Sequence, residues 1–242
     1  MRKLRYLVTG TGRCGTVYMA RFLSNLGIPC GHEAIFDWRG YRWAEKRLNG
    51  EAPIECSSAS AISLINGKWV PEPSWVDPSQ IVAESSYLAA PFLQDPLLQG
   101  VPVIHVARHP VKVINSFCNY LGYFQSNQGT NSYEQIIYRW LPELKQQMSP
   151  YDRAALFYVR WNDLIDSHRP DFFHRIEDDV SPLLSFLGKE GCRYYDNKKI
   201  NSQAKAGSRF SFHDIESSEI ADLIRAKCKQ YNYPSSEEVI IL

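Results

Sequence analysis

The 242-residue chain has no long apolar run. A membrane-spanning helix needs about 20 consecutive apolar residues, whereas runs such as Val101 to Ala107 are strand-sized. Met1-Arg2-Lys3 has the charge of a secretory leader, but the apolar run behind it, Leu4 to Val8, is broken by Arg5 and stops at Thr9-Gly10. That is too short for the apolar region of a signal peptide, so no spanning segment is expected. Nor is there a surplus of charge: 27 Lys and Arg stand against 26 Asp and Glu, a formal net charge of +1. No global field draws the chain to nucleic acid or an anionic membrane, so any anion must be held locally. The six cysteines (Cys14, Cys30, Cys56, Cys118, Cys192, Cys228) are scattered, with no C-x-x-C pair and no His at zinc-finger spacing. Neither a metal cluster nor a dense disulfide framework is indicated. No bound metal is expected, and a cytoplasmic location is.

Internal repeats, low-complexity tracts and linker-like stretches are also missing, so residues 1 to 242 are read as one domain. Apolar residues make up 44% and charged residues 22%, close to the averages for folded globular domains. Leu4 to Thr9 reads as a strand that runs into the glycine loop Gly10 to Gly15. A helix follows, with Val17, Ala20, Leu23 and Leu26 at helical spacing and Gly27 past its end. Ile28 to Cys30 starts a second short extended segment, so the first βαβ-like unit spans about 33 residues. The stretch Ala34 to Ser79 reads as one or two helices joined by loops. Ile81 to Glu84 and Val101 to Ala107 are strands, and Pro110 opens a helix through Leu121. Tyr133 to Gln147 reads as a helix, Leu156 to Arg160 as a fourth main strand, and Ile176 to Leu187 and Asp214 to Tyr231 as helices. Alternating strands and helices predict an α/β fold: a single doubly wound domain with a central parallel sheet flanked by helices.

Two strand-to-helix junctions carry chemistry. In the first, Gly10 and Gly15 frame a loop of the P-loop-like kind, whose backbone N–H groups and following helix N-terminus suit an anion. A triphosphate-hydrolysing loop continues Gly-Lys-Ser/Thr, but Gly15 is followed by Thr16-Val17, so Arg13 is the loop's cation. In the second, Arg108-His109-Pro110 sets an Arg at the dipole-positive end of a helix on which Lys112 and Ser116 share a face.

The segment Gly12-Arg13-Cys14-Gly15-Thr16-Val17-Tyr18 resembles the 5′-phosphosulfate loop of the sulfotransferases, whose usual form is Pro-Lys/Arg-Ser-Gly-Thr-Thr-Trp/Leu. Arg13, Gly15 and Thr16 match. Cys14 replaces the usual Ser, and Val17 replaces the second Thr, whose hydroxyl bonds the 5′-phosphate in the family. Arg108, Pro110 and Ser116 match the family's 3′-phosphate motif, Arg-x-Pro followed by Ser eight residues after the Arg. Trp161-Asn162-Asp163-Leu164 resembles the Tyr-Glu-Asp-Leu that ends a family strand, which sets Trp161 either against the adenine or in the core. Gly207 and Arg209 partly resemble the basic glycine loop that closes over the 3′-phosphate.

The resemblance implies a transferase moving the sulfuryl group of 3′-phosphoadenylyl sulfate to a hydroxyl of a small-molecule or glycan acceptor, releasing adenosine 3′,5′-bisphosphate without a metal. It also implies a catalytic Glu directly after the second strand, as in tyrosylprotein and several carbohydrate sulfotransferases, and Glu33 stands there. His32 competes for the role of base because imidazole titrates near neutrality. Two other readings stay open: a small-molecule or nucleoside kinase, disfavoured by the missing Lys, and a catalytically silent nucleotide-binding module.

Overall fold

In the computed structural model, residues 2–55, 62–65, 68–71, 76–192 and 210–234 are described. Strand β1 (Tyr6–Gly10) leads into helix α1 (Thr16–Asn25), β2 (Cys30–His32) and α2 (Tyr41–Asn49). An antiparallel hairpin of β3 (Ile62–Ile65) and β4 (Lys68–Pro71) precedes β5 (Ala83–Ser85), β6 (Val103–Ala107) and α3 (Pro110–Asn115). Then come α4 (Ser132–Trp140), α5 (Pro150–Ser167), β7 (Phe172–Arg175), α6 (Ser181–Phe186) and α7 (Ser218–Gln230). The central sheet has five strands, all parallel, in the order β2-β5-β1-β6-β7. The chain therefore leaves β1 for the far edge at β2 and returns through β5, which makes β1 the place where the winding reverses.

Helices cover both faces, and the strand pleat divides the core accordingly. Leu7, Val103 and Ala107 pack with α3, α5 and α7, while Val8, Ile104 and Val106 pack with α1 and α6. Every residue of β6 is buried, as expected of a parallel strand covered on both sides. The expected doubly wound α/β architecture is what the chain forms.

Four expectations are corrected. Leu156 to Arg160 lies inside α5, not in a strand. Ser149 caps that helix by accepting from the Asp152 N–H, Pro150 occupies its first turn, and its sides are buried nearly all round. A continuous apolar run is then the same in a buried helix and a buried strand. The fifth parallel strand is instead Phe172–Arg175, and Ile176 extends the sheet by donating to the Ala107 carbonyl. The helix expected from Ile176 shortens to α6. Among the described residues between Ala34 and Ser79 there is one α-helix, α2, together with the β3–β4 hairpin. The helix expected through Pro142 stops at Trp140, and Pro142 opens a separate 3₁₀ turn.

Candidate functional site

The loop after β1 depends on close backbone approach. A Cβ on Gly10 would stand 2.1 Å from the Val106 carbonyl oxygen, and one on Gly12 would stand 2.7 Å from the Phe117 ring. Arg13 and Gly15 take left-handed backbone, with φ of 67° and 108°. These turns deliver the chain to α1, which starts with no side-chain cap and no acidic residue in its first turn. The first N–H groups of a helix have no intrahelical acceptor, so the start of α1 turns donors towards the loop.

The second junction comes to the same place. His109 caps α3 by accepting from the Val111 N–H, and Pro110 takes its first position. After α3 the chain widens into a π-helical turn, Ser116–Tyr120, a feature concentrated at functional sites. Arg13 Nε donates to Ser116 Oγ at 2.8 Å, Arg108 Nη1 donates to the Arg13 carbonyl at 3.2 Å, and the Tyr120 ring lies 5.5 Å from the Arg13 guanidinium. Among the described residues neither arginine pairs with a carboxylate. Burial and the neighbouring Arg108 both disfavour the charge on Arg13.

A cleft of about 220 Å³ opens here, lined by Gly12, Arg13, Gly15, Thr16, Val17, Tyr18, His32, Glu33, Tyr87, Arg108, Phe117, Leu121, Tyr123 and Tyr133. It lies at the carboxyl ends of the strands beside the reversal at β1, where open α/β sheets bind ligands. Glu33 follows β2 with φ 49° and donates its N–H to the Ser85 carbonyl at 3.2 Å. It is 5% exposed, and burial pushes its carboxyl up to about 8. The Tyr133 hydroxyl opposes that rise, Glu84 and Asp37 add to it, and Arg13 opposes it. His32 is buried too, and burial, with Arg13 and Arg21, pushes its imidazole down to about 3, so the ring is neutral at neutral pH. Its Nε2 lies 3.0 Å from Thr16 Oγ1, and its Nδ1 has no hydrogen-bond partner among the described residues.

Of the residues singled out from sequence, Gly12, Arg13, Gly15, Thr16, Val17, Arg108, His32 and Glu33 line the cleft, and Ser116 joins them through Arg13. Two are corrected. Cys14 turns its side chain away, into the apolar cluster beneath β1, where burial pushes the thiol up to about 12. Trp161 sits on α5, fully buried, and donates Nε1–H to the Tyr87 carbonyl at 3.1 Å. It belongs to the core because the expected strand end is the middle of a helix. Gly207 and Arg209 lie outside the described residues. Sequence reasoning missed Tyr87, Tyr123 and Tyr133. A signal existed for Tyr87, which closely follows β5 and so lies at the sheet's carboxyl edge.

Among the described residues no group of three His, Cys, Asp or Glu side chains could hold a metal, and no helix is long and apolar enough to cross a membrane. The chain matches no known family model, and no curated protein matches it.

Proposed function

We propose that the cleft binds 3′-phosphoadenylyl sulfate and that the protein is a sulfotransferase acting on an acceptor hydroxyl. The observation that carries this reading is the junction of Arg13, Ser116 and Arg108: two cations with no carboxylate partner among the described residues meet at an uncapped helix start, within one cleft with a buried, protonatable Glu33. Half-buried positive charge without a counter-ion is costly, and a bound anion removes the cost.

When bound, the cofactor supplies an activated sulfuryl group and a good leaving group. In this reading Arg13 and the amides of Gly15 to Val17 hold the 5′ end. Val17 offers only its N–H, since its side chain has no hydroxyl. Arg108 and Ser116 hold the 3′-phosphate; Ser116 Oγ accepts from Arg13 and keeps its own proton to donate. Glu33 takes the proton from the acceptor hydroxyl. His32 suits that task less, because its imidazole is pushed far below the range of a base working near neutrality. Neutral His32 instead supports the Thr16 hydroxyl in the loop. The five described cysteines are free thiols, which supports a reducing compartment such as the cytoplasm.

The test is a thermal-shift panel of adenosine 3′,5′-bisphosphate against ATP with and without Mg²⁺. A ligand at 100 times its Kd stabilises by about 2.7 kcal/mol. Calorimetry with Arg108→Ala should show adenosine 3′,5′-bisphosphate weakened by about 1.5 to 3 kcal/mol more than 5′-AMP, the contribution of a charge-assisted bond. Stabilisation by Mg-ATP alone assigns the cleft to a kinase. Equal losses for the two nucleotides remove the 3′-phosphate site.

A further inference from the structure

Tyr133 reaches Glu33 from another wall of the cleft. Its hydroxyl donates to Glu33 Oε2 at 3.2 Å, and the two residues are 100 positions apart in sequence. Among the described residues no hydrogen bond reaches Oε1, so one carboxylate oxygen is held and the other is left to the cleft that Glu33 lines.

The structure behind Tyr133 keeps it still. Asn131 caps α4, its Oδ1 accepting from the N–H groups of Tyr133 and Glu134, each at 3.0 Å. Glu134 is fully buried and accepts from the N–H groups of Phe124 and Thr130, the Thr130 hydroxyl and the Asn131 amide. The Tyr133 ring stacks on Tyr87, with centroids 6.4 Å apart and planes inclined by 24°. Tyr87 in turn rests against Trp161 at 6.2 Å and accepts that residue's indole N–H at its carbonyl. The Glu33 backbone is fixed from the other side through Ser85. Both ends of the hydrogen bond are therefore anchored to rigid elements, as a group that must face a reacting atom in one direction requires.

We infer that Tyr133 is the positioning residue of Glu33: its hydroxyl pins Oε2 so that Oε1 faces the acceptor hydroxyl, an assignment that rests on the base role proposed above. The charged and titratable groups facing Glu33 are Glu84 on β5, Asp37 before α2, Arg13 in the loop, and the tyrosines Tyr87, Tyr123 and Tyr133. His32 beside it is neutral. Of these, Tyr133 alone donates a hydrogen bond to the carboxylate, and such a bond favours the ionised form.

The experiment follows the Glu33 carboxyl by ¹³C NMR in the full-length, ligand-free protein, assigned against Glu33→Gln, in wild type and Tyr133→Phe. The phenylalanine keeps the ring and its stack on Tyr87, and a melting curve checks the fold. Loss of the donor should move the Glu33 midpoint to higher pH by about 0.5 to 1 pH unit. The rising limb of kcat/KM against pH should move with it, and the Kd of adenosine 3′,5′-bisphosphate should stay the same. A merely structural tyrosine would lower the melting temperature and depress activity equally at all pH values while leaving the midpoint in place. That result overturns the assignment. A midpoint that moves in a protein that transfers no sulfuryl group upholds the hydrogen bond's role and sinks the proposed reaction instead, so the two failures are separate.

Discussion

Arg153 and Arg13 carry the same guanidinium into different surroundings. Arg153 is buried on α5 and donates to the carbonyls of Leu144, Phe124, Gln146 and Met148, so nearly all of its five N–H donors are used by backbone. Arg13 spends one donor on Ser116, and its neighbour Arg108 spends one on a carbonyl. The carboxylates divide in the same way: Glu134 collects four hydrogen bonds, whereas Glu33 accepts one from Tyr133. Arg47 stands between the two, since its buried guanidinium pairs with Asp37 and donates to the carbonyls of Ile35 and Pro53, while its Nη2 has no hydrogen-bond partner among the described residues. A charge whose bonding capacity is filled from within holds loops together. A charge left short of partners at the mouth of a sheet is available to something that arrives.

The largest effect that sharpens this contrast is catalytic. Glu33→Gln keeps the shape and the hydrogen bond from Tyr133 but removes the proposed proton acceptor, so the proposed sulfuryl transfer should fall by roughly 10²- to 10⁴-fold while the protein stays folded and adenosine 3′,5′-bisphosphate still binds. Steady-state turnover beside calorimetry reads both. Transfer at near wild-type rate would take Glu33 out of the chemistry.

Next in size is the pair of arginines. Arg153→Met strands the buried carbonyls of Leu144 and Phe124 and frees two part-buried ones, and should cost about 3 kcal/mol in denaturant unfolding, with nucleotide affinity per folded molecule unchanged. Arg13→Met should change ligand-free stability by less than about 1 kcal/mol and lower affinity for adenosine 3′,5′-bisphosphate by about 10- to 100-fold. If the two substitutions destabilise alike, the division between internal and available charge collapses.

Both halves of the proposed anion site were legible in the sequence because each is punctuated locally. Gly10 to Gly15 turns the chain from a strand into a helix, and Pro110 suits a helix's first turn, so Arg13 in the loop and Arg108 at a strand end are legible without any tertiary contact. The sheet was legible wherever an apolar run was short and bounded by such signals, as at β1 and β6. It failed at Leu156 to Arg160, where a helix buried on nearly every side erases the 3.6-residue period that would have marked it. Phe172–Arg175 escaped because it is a half-exposed edge strand. Tyr133 was read correctly as helical, yet its role could not be seen. No spacing rule encodes a hydrogen bond between residues 33 and 133, or the stack that runs from Trp161 through Tyr87 to support it.

The smallest effect tests the availability of Glu33 without any ligand. Its carboxyl, ordinarily near 4.5, is pushed up to about 8 by burial. Between those values the folded chain keeps a proton that the unfolded chain has released, so stability must fall as pH rises. The contribution is fully present below about 4.5 and lost as pH climbs through 8. Glu33→Gln has no proton to lose. The variant and wild type should therefore melt within about a degree of each other at pH 5, and the variant should become the more stable by about 1 kcal/mol or more at pH 8, or about 2 to 4 °C for a chain of this length. Glu84, pushed up to about 7 by its own burial, adds a slope of the same sign to both proteins, and because its charge also raises Glu33 the difference reads Glu33 with that coupling included. A melting-temperature difference that stays flat from pH 5 to 8 would mean that Glu33 ionises as freely as a surface carboxylate, and would break its contrast with Glu134. A rising difference ties stability to the proposed chemistry: the proton whose loss weakens the fold is the one Glu33 would shed before accepting another from a hydroxyl in that reaction, so turnover should climb over the same range in which the wild-type protein becomes easier to unfold.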